Sequence, residues 1–216
     1  YQVHGTDPLT PIEETVEALD LLVRHNKVRY VGLCNMPAWL IMKALAYARE
    51  KGLHRFESAQ MYYSLAGRDL EREVVPLAKD QDLAILPWSP LAGGFLSGKF
   101  TRDSDGPNDA RRTVFDFPPV DKEKGFDIVD VMRDIADAKS VSVPQVALGW
   151  LVHQPHVTSV IVGASKVSQL KDNLGAVDIE LSEDELARLN EVSALKAEYP
   201  GWMLERQQAD RLDQID

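Results

Sequence analysis

The chain carries a single cysteine, Cys34, in 216 residues. One thiol excludes an internal disulfide and fits a reducing, cytoplasmic setting. Positive charge is also scarce: 24 Lys and Arg against 34 Asp and Glu give a net charge of −10. That balance argues against nucleic acid and anionic membrane as partners, while a local basic cluster can still hold a small phosphate ligand. No apolar run approaches the length of a membrane span, and the first residues lack the layout of a signal peptide. His25, His54, His153 and His156 show no metal-ligand spacing, so no metal is expected. An initiating Met is missing as well. Tyr1-Gln2-Val3-His4 reads as a strand already under way, and the sequence is expected to belong to a longer one.

What is present is a regular alternation of strand-like and helix-like runs. Tyr1–His4, Val28–Leu33, Phe56–Gln60, Leu83–Leu86 and Val157–Val162 are strand candidates. Thr10-Pro11-Ile12-Glu13 suggests a helix start, with Thr10 as N-cap, Pro11 in the first helical position and Glu13 closing a capping box. Ile12, Val16, Leu19 and Val23 then share one helical face. Helices are also expected over Pro37–Lys51, stopped by Gly52, over Arg68–Gln81 with a break or shift near Pro76, over Gly125–Lys139 and over Val167–Ala176. Two further capping boxes, Ser142 with Gln145 and Ser182 with Glu185, open two more helices. Gly93–Lys124 breaks the rhythm, and a stretch that long inside a compact domain reads as a lid or mobile segment. A polar tail, 196–216, closes the single domain spanning 1–216.

Strict alternation implies an α/β fold with parallel pairing and right-handed crossovers. A doubly wound sheet and a (β/α) barrel both satisfy it, and both place function at strand C-terminal ends. A Gly-x-Gly-x-x-Gly after the first strand, which the open sheet would favour, is lacking, and the extra helices at the end suit a barrel.

The residues at these strand ends carry chemistry. They are His4, then Cys34-Asn35, then Gln60, then Trp88-Ser89, then Gly163-Ala164-Ser165-Lys166. The last group sets a glycine turn, a hydroxyl and an ammonium at a helix N-terminus, where free backbone N–H groups favour a phosphate. On a barrel all five sets point to one rim. An imidazole, two amides, an indole and a phosphate corner suit a nicotinamide dinucleotide: the amides pair with its carboxamide, and a flat ring stacks on the nicotinamide. Each residue also has a plainer reading. His4 and Trp88 can be core residues, Asn35 and Gln60 cappers, Lys166 a solvated cation, and Cys34 reads as a small buried filler.

At these motifs the chain resembles the aldo-keto reductase superfamily. YQVHG is similar to that family's fourth strand with its active-site histidine, and VRYVGLCN to its fifth. PWSPLAGGFLSGKF is similar to its seventh-strand signature, and GASKVSQLKDN to its adenosine-phosphate segment. The resemblance covers the chain from the fourth strand onward and implies a TIM barrel, (β/α)8, with the first three β/α units absent from this sequence. It implies an NADPH-dependent oxidoreductase that reduces small aldehydes or ketones. His4 would orient the substrate carbonyl. Asn35 and Gln60 would bind the carboxamide, and Trp88 would stack on the nicotinamide. Ser89, Leu91, Gly93 and Lys99 would line the pyrophosphate channel, with 93–124 as the cofactor loop. Gly163, Ser165 and Lys166 would hold the ribose phosphate, and Gln169 and Asn173 would reach the ribose phosphate and adenine. Lys166 favours NADPH over NADH. Trp202 would border the substrate pocket, and Arg111-Arg112 can be read as a phosphate clamp or a solvated pair.

The chain departs from the family pattern in three ways. Cys34 stands where Ser is usual, and Gln169 where Arg is common. The family's acid Tyr with its partner Lys and Asp precede the fourth strand, so the chain as given is expected not to reduce carbonyls efficiently by itself. A catalytically silent cofactor-binding or regulatory module is the alternative. The sequence bears no signal for oligomeric state or for the identity of the substrate.

Overall fold

The computed structural model describes residues 1–104, 106–107 and 110–212. Four parallel strands lie side by side in sequence order: β1 (Gln2–Val3), β2 (Val31–Cys34), β3 (Phe56–Tyr62) and β4 (Ala84–Trp88). Helices α1 (Ile12–Arg24), α2 (Ala38–Lys51) and α3 (Leu70–Asp80) make the crossovers. A short 3₁₀ helix, Ala92–Ser97, follows β4. Then come α4 (Arg111–Val114), α5 (Lys122–Lys139), α6 (Val143–Val152), α7 (Val167–Leu174), α8 (Glu183–Val192) and α9 (Gly201–Leu212).

The register runs Gln2↔Gly32, Leu33↔Ala59↔Ile85 and Cys34↔Gln60↔Leu86. Side chains alternate across a strand, so paired positions share a face. Leu33, Ala59 and Ile85 are fully buried in the core beneath the helices. The opposite face carries Gln2, Ser58, Gln60, Tyr62, Leu86 and Trp88, all half-buried. Across it Gln2 Nε2 donates to Ser58 Oγ at 2.7 Å. This crossing passes over Gly32, where a Cβ would stand 2.2 Å from Gln2 Oε1. Sequential strand order with one covered face is the pattern of a barrel segment; a doubly wound sheet reverses its order at a switch point.

Several expected element starts and stops are observed. Ser142 Oγ accepts from Gln145 N–H and Ser182 Oγ from Glu185 N–H, each completing a capping box. Gly52 ends α2 in the left-handed conformation, φ 65°, which glycine adopts without steric cost.

Other expectations are corrected. Thr10 caps nothing: its Oγ1 donates to Asp7 at 2.7 Å, Pro11 occupies the N-cap, and Glu13 pairs with Lys43. Helix α3 runs unbroken through Pro76, because burial of Leu70, Val75 and Ala78 outweighs one lost backbone bond. Val157–Val162 lies beside β4 without forming a strand; its links are one isolated parallel bridge, Ile85↔Val157, and the Thr158 N–H to Ile85 O and Ile161 N–H to Pro87 O bonds. Proline has no N–H to return to this neighbour, which interrupts the ladder. Within 93–124 the chain forms part of a 3₁₀ helix, α4 and the start of α5, and the polar tail contains α9.

Candidate active site

The site is assembled at the C-terminal ends of the strands. His4 follows β1 directly, exposed and without a hydrogen bond among the described residues. Asn35 follows β2 and Trp88 ends β4. The indole Nε1–H of Trp88 donates to Asn35 Oδ1 at 2.9 Å, spanning the end of β3 between them. Gln60 sits on β3 in register with Cys34 and Leu86. It lies two residues inside its strand, which continues to Tyr62, so the expectation that it follows the strand is corrected. The Trp88 bond uses Asn35 Oδ1 and leaves the amide N–H donors without a partner among the described residues, open to a ligand carbonyl.

Beyond β4 the backbone turns sharply. Ser89 has φ 51°, Ala92 49° and Gly93 66°. Ser89 Oγ accepts from Gly93 N–H at 2.9 Å, and Ser89 O from Ala92 N–H at 2.8 Å. Leu91 is half-buried against the core and Lys99 is exposed beyond the 3₁₀ helix. A Cβ on Gly93 would lie 2.3 Å from Phe117 O, so glycine is required there both for its conformation and for this close approach. Arg112 is only 6% exposed. Its guanidinium donates to Ala92 O at 2.7 Å and Pro118 O at 2.9 Å and pairs with Asp116. It is thus neither a phosphate clamp nor a solvated cation. The Arg111 side chain lies outside the described residues.

At the second corner Gly163, Ser165 and Lys166 are exposed. Gln169 Oε1 accepts from Ser165 N–H at 3.0 Å, Ser165 Oγ at 3.0 Å and Lys166 N–H at 3.2 Å. The donors suited to an anion converge, with a neutral amide oxygen received among them. Asn173 is buried and lines a cavity of about 310 Å³ between α6, the Val157–Val162 segment and α7. That cavity is walled by aliphatic residues such as Leu148, Val152, Val160 and Val177, and His4, Asn35, Gln60 and Trp88 take no part in it. The structure therefore joins Asn35 to Trp88 with Gln60 beside them, Ser89 to Gly93, and Ser165 and Lys166 to Gln169; among the described residues no hydrogen bond runs from the His4, Lys99 or Asn173 side chain, or from Gly163, to these groups.

Two aromatic neighbours of Trp88 were not legible as site residues. The Tyr62 ring centroid lies 5.2 Å from the indole, tilted by 38°, and that of Phe117 5.9 Å away, nearly parallel at 11°. Tyr62 shares a face with Gln60 by strand alternation, a signal the sequence does hold. Burial pushes the Tyr62 hydroxyl pKa up, so it stays protonated; its oxygen accepts from Ser64 Oγ at 3.2 Å. Burial likewise raises the pKa of the Cys34 thiol, which is 1% exposed and behaves as a filler. No cluster of metal-ligating side chains is found among the described residues.

A half-exposed indole fixed by an amide, a second amide on the intervening strand and a hydroxyl–ammonium corner suit a pyridine dinucleotide. The profile of the aldo/keto reductase family matches residues 1–194, and the chain belongs to that family. It is 35% identical over 193 residues to the uncharacterized oxidoreductase YrpG of Bacillus subtilis, covering 89% of this chain and 57% of that protein. It is 32% identical over 202 residues to versiconal hemiacetal acetate reductase of Aspergillus parasiticus, covering 93% and 58%. It is 35% identical over 205 residues to aldo-keto reductase str7 of Strobilurus tenacellus, covering 93% and 59%. The chain thus spans less than two thirds of the length of these curated relatives. No helix among the described residues is long and apolar enough to cross a membrane.

Proposed function

We propose that this chain forms the cofactor-binding side of an NADPH-dependent aldo-keto reductase acting on aldehydes or ketones. The observation that carries the reading is the Trp88–Asn35 hydrogen bond, which ties the ends of β2 and β4 together across Gln60. NADPH supplies the hydride. Asn35 and Gln60 hold the carboxamide and so fix which face of the pyridine ring is presented. Trp88 stacks on that ring. The turn from Ser89 through Leu91 to Gly93, with Lys99, follows the pyrophosphate. Gly163, Ser165 and Lys166 receive the ribose 2′-phosphate, with Gln169 turning away to release its three donors, and Asn173 bounds the adenine side. His4 orients the carbonyl oxygen by hydrogen bond. Each of these residues has a binding or orienting role, and the proton for that oxygen is assigned to none of them.

Calorimetric titration with NADPH and NADH tests the reading. NADPH is expected to bind the more tightly, and Lys166→Ala to weaken NADPH about tenfold while leaving NADH nearly unchanged, in line with loss of a charge-assisted hydrogen bond. Equal losses for the two cofactors would overturn the phosphate assignment. The relatives named as reductases act on a hemiacetal acetate or carry only the family name, so a panel of aldehydes and ketones assayed with the intact protein is needed to identify the substrate.

A further inference from the structure

We infer that Phe117 is a positioning residue for Trp88, pressed against the indole by a strap that Arg112 pins to the turn after β4. This rests on the reading of Trp88 as the nicotinamide-stacking ring. Three observations support it. The Phe117 and Trp88 rings are parallel within 11°, with centroids 5.9 Å apart, an offset stack of the favoured kind. Phe117 is 40% exposed, so burial alone does not account for its place. The backbone that carries it is held firmly. Arg112 bonds Ala92 O on one side and Pro118 O on the other, forms an ion pair with Asp116, and lies with its guanidinium 5.4 Å from the Phe95 ring centroid.

The close approach of Gly93 to Phe117 O fits the same purpose, since any side chain at 93 would push the strap away from the turn. Moving the strap that carries Phe117 away from the turn would break buried bonds to a charged group, which is expensive in low dielectric. The backbone beneath the ring is therefore fixed. Tyr62 braces Trp88 as well. Its ring packs where a Cβ on Gly67 would otherwise stand, and the Ser64–Gly67 turn, closed by two backbone bonds, holds it there. With Nε1 tied to Asn35 and two rings against it, the indole has its plane set before any ligand arrives, which removes an ordering cost from binding.

The test is a double-mutant cycle on NADPH affinity, read by calorimetry and tryptophan quenching in the intact protein. Phe117→Leu keeps apolar bulk without the ring and is expected to weaken NADPH binding about three- to tenfold. Phe117→Tyr, which keeps the ring, should restore the parental value. In a Trp88→Leu background Phe117→Leu should cost nothing further, because the ring it positions is gone. Asp116→Asn, at an exposed site, should reproduce part of the Phe117→Leu loss by loosening the strap. If the Phe117→Leu and Trp88→Leu losses simply add, or if Phe117→Leu leaves affinity unchanged while Trp88→Leu lowers it, the inference falls and the cofactor reading stands. If Trp88→Leu itself has no effect on NADPH, the stacking reading fails and the inference with it.

Discussion

Asn35 and Ser89 sit immediately past β2 and β4 with φ near 50°, a region that non-glycine residues seldom occupy. Asn tolerates it and Ser does so less readily, so the surroundings must enforce both. Asn35 is held by Trp88 Nε1 and Ser89 by the Gly93 N–H. Strain of this kind collects where function needs a fixed side chain. The single thiol offers a contrast. Burial raises the Cys34 pKa, so less thiolate is present at any given pH. Cys34 is expected to resist iodoacetamide at pH 8.5 in the native protein and to react within minutes in denaturant, followed by intact mass. His4, exposed and free of partners among the described residues, should tolerate His4→Ala with little change in melting temperature or NADPH affinity. Turnover in the intact protein should fall.

Among the elements, the helix caps differ in what they join. Ser182 serves α8 alone, where Lys139 also bonds Glu185. Ser142 opens α6, and its hydroxyl also donates to Asp172 Oδ2 on α7 at 2.8 Å, while Gln145 Nε2 donates to Asp172 O at 2.9 Å. Helix α7 begins just after Lys166, at the corner proposed to take the phosphate, so this second link sets its pose. Ser182→Ala should cost about 1 kcal/mol. Ser142→Ala should cost about 2 kcal/mol, since it loses a cap and a hydrogen bond to a carboxylate. Thr10→Ala should cost less than either, because Thr10 caps no helix. Urea unfolding of the three variants checks the ranking.

Across the whole molecule, a half-buried polar network ties the sheet to the distant helices. Tyr63 donates to Glu71 at 2.6 Å, and His156 Nε2 lies 3.2 Å from the Tyr63 oxygen, which with its own proton given to Glu71 accepts from the imidazole. Arg68 makes a two-pronged ion pair with Glu71, bonds Ser193 Oγ at 2.7 Å and stacks over Trp150. Trp150 in turn donates to Asn190 on α8 at 3.0 Å. Removing Glu71 leaves the half-buried Arg68 and the buried Tyr63 without their shared acceptor, so Glu71→Ala should cost about 2–3 kcal/mol. Burial lowers the His156 pKa, with Lys79 and Arg68 adding to the shift and Glu71 opposing it. A base with a depressed folded pKa is neutral in the native state and takes up its proton on unfolding. Its stabilising contribution is therefore complete above the ordinary histidine pKa of about 6.5 and declines as pH falls below it. Unfolding free energy measured at pH 7.5 and 5.5 should show this fall, and His156→Asn should reduce it.

Strand and helix periods, the Gly52 stop and the two serine capping boxes were legible because they depend on residues within a few positions of one another. The same holds for the parallel order, which strict alternation compels. The strand-end residues His4, Asn35, Trp88 and Ser89 could be picked out on the same ground. What sequence could not supply were pairings between segments distant in the chain. Thr10 looked like a cap until Asp7 took its hydroxyl, and Val157–Val162 looked like a strand although Pro87 on its neighbour breaks the ladder. Arg112 could be read as a phosphate clamp or a solvated cation until the turn after β4 folded over it. The Tyr62–Trp88–Phe117 stack joins residues up to 55 positions apart. Local chemistry in the sequence determined most of the elements and, apart from Thr10 and Gln60, the residues picked out at their ends. Only the tertiary fold decided which of those residues meet, because a hydrogen bond or a ring stack acts over a few ångströms and the chain brings its partners that close only once it is folded.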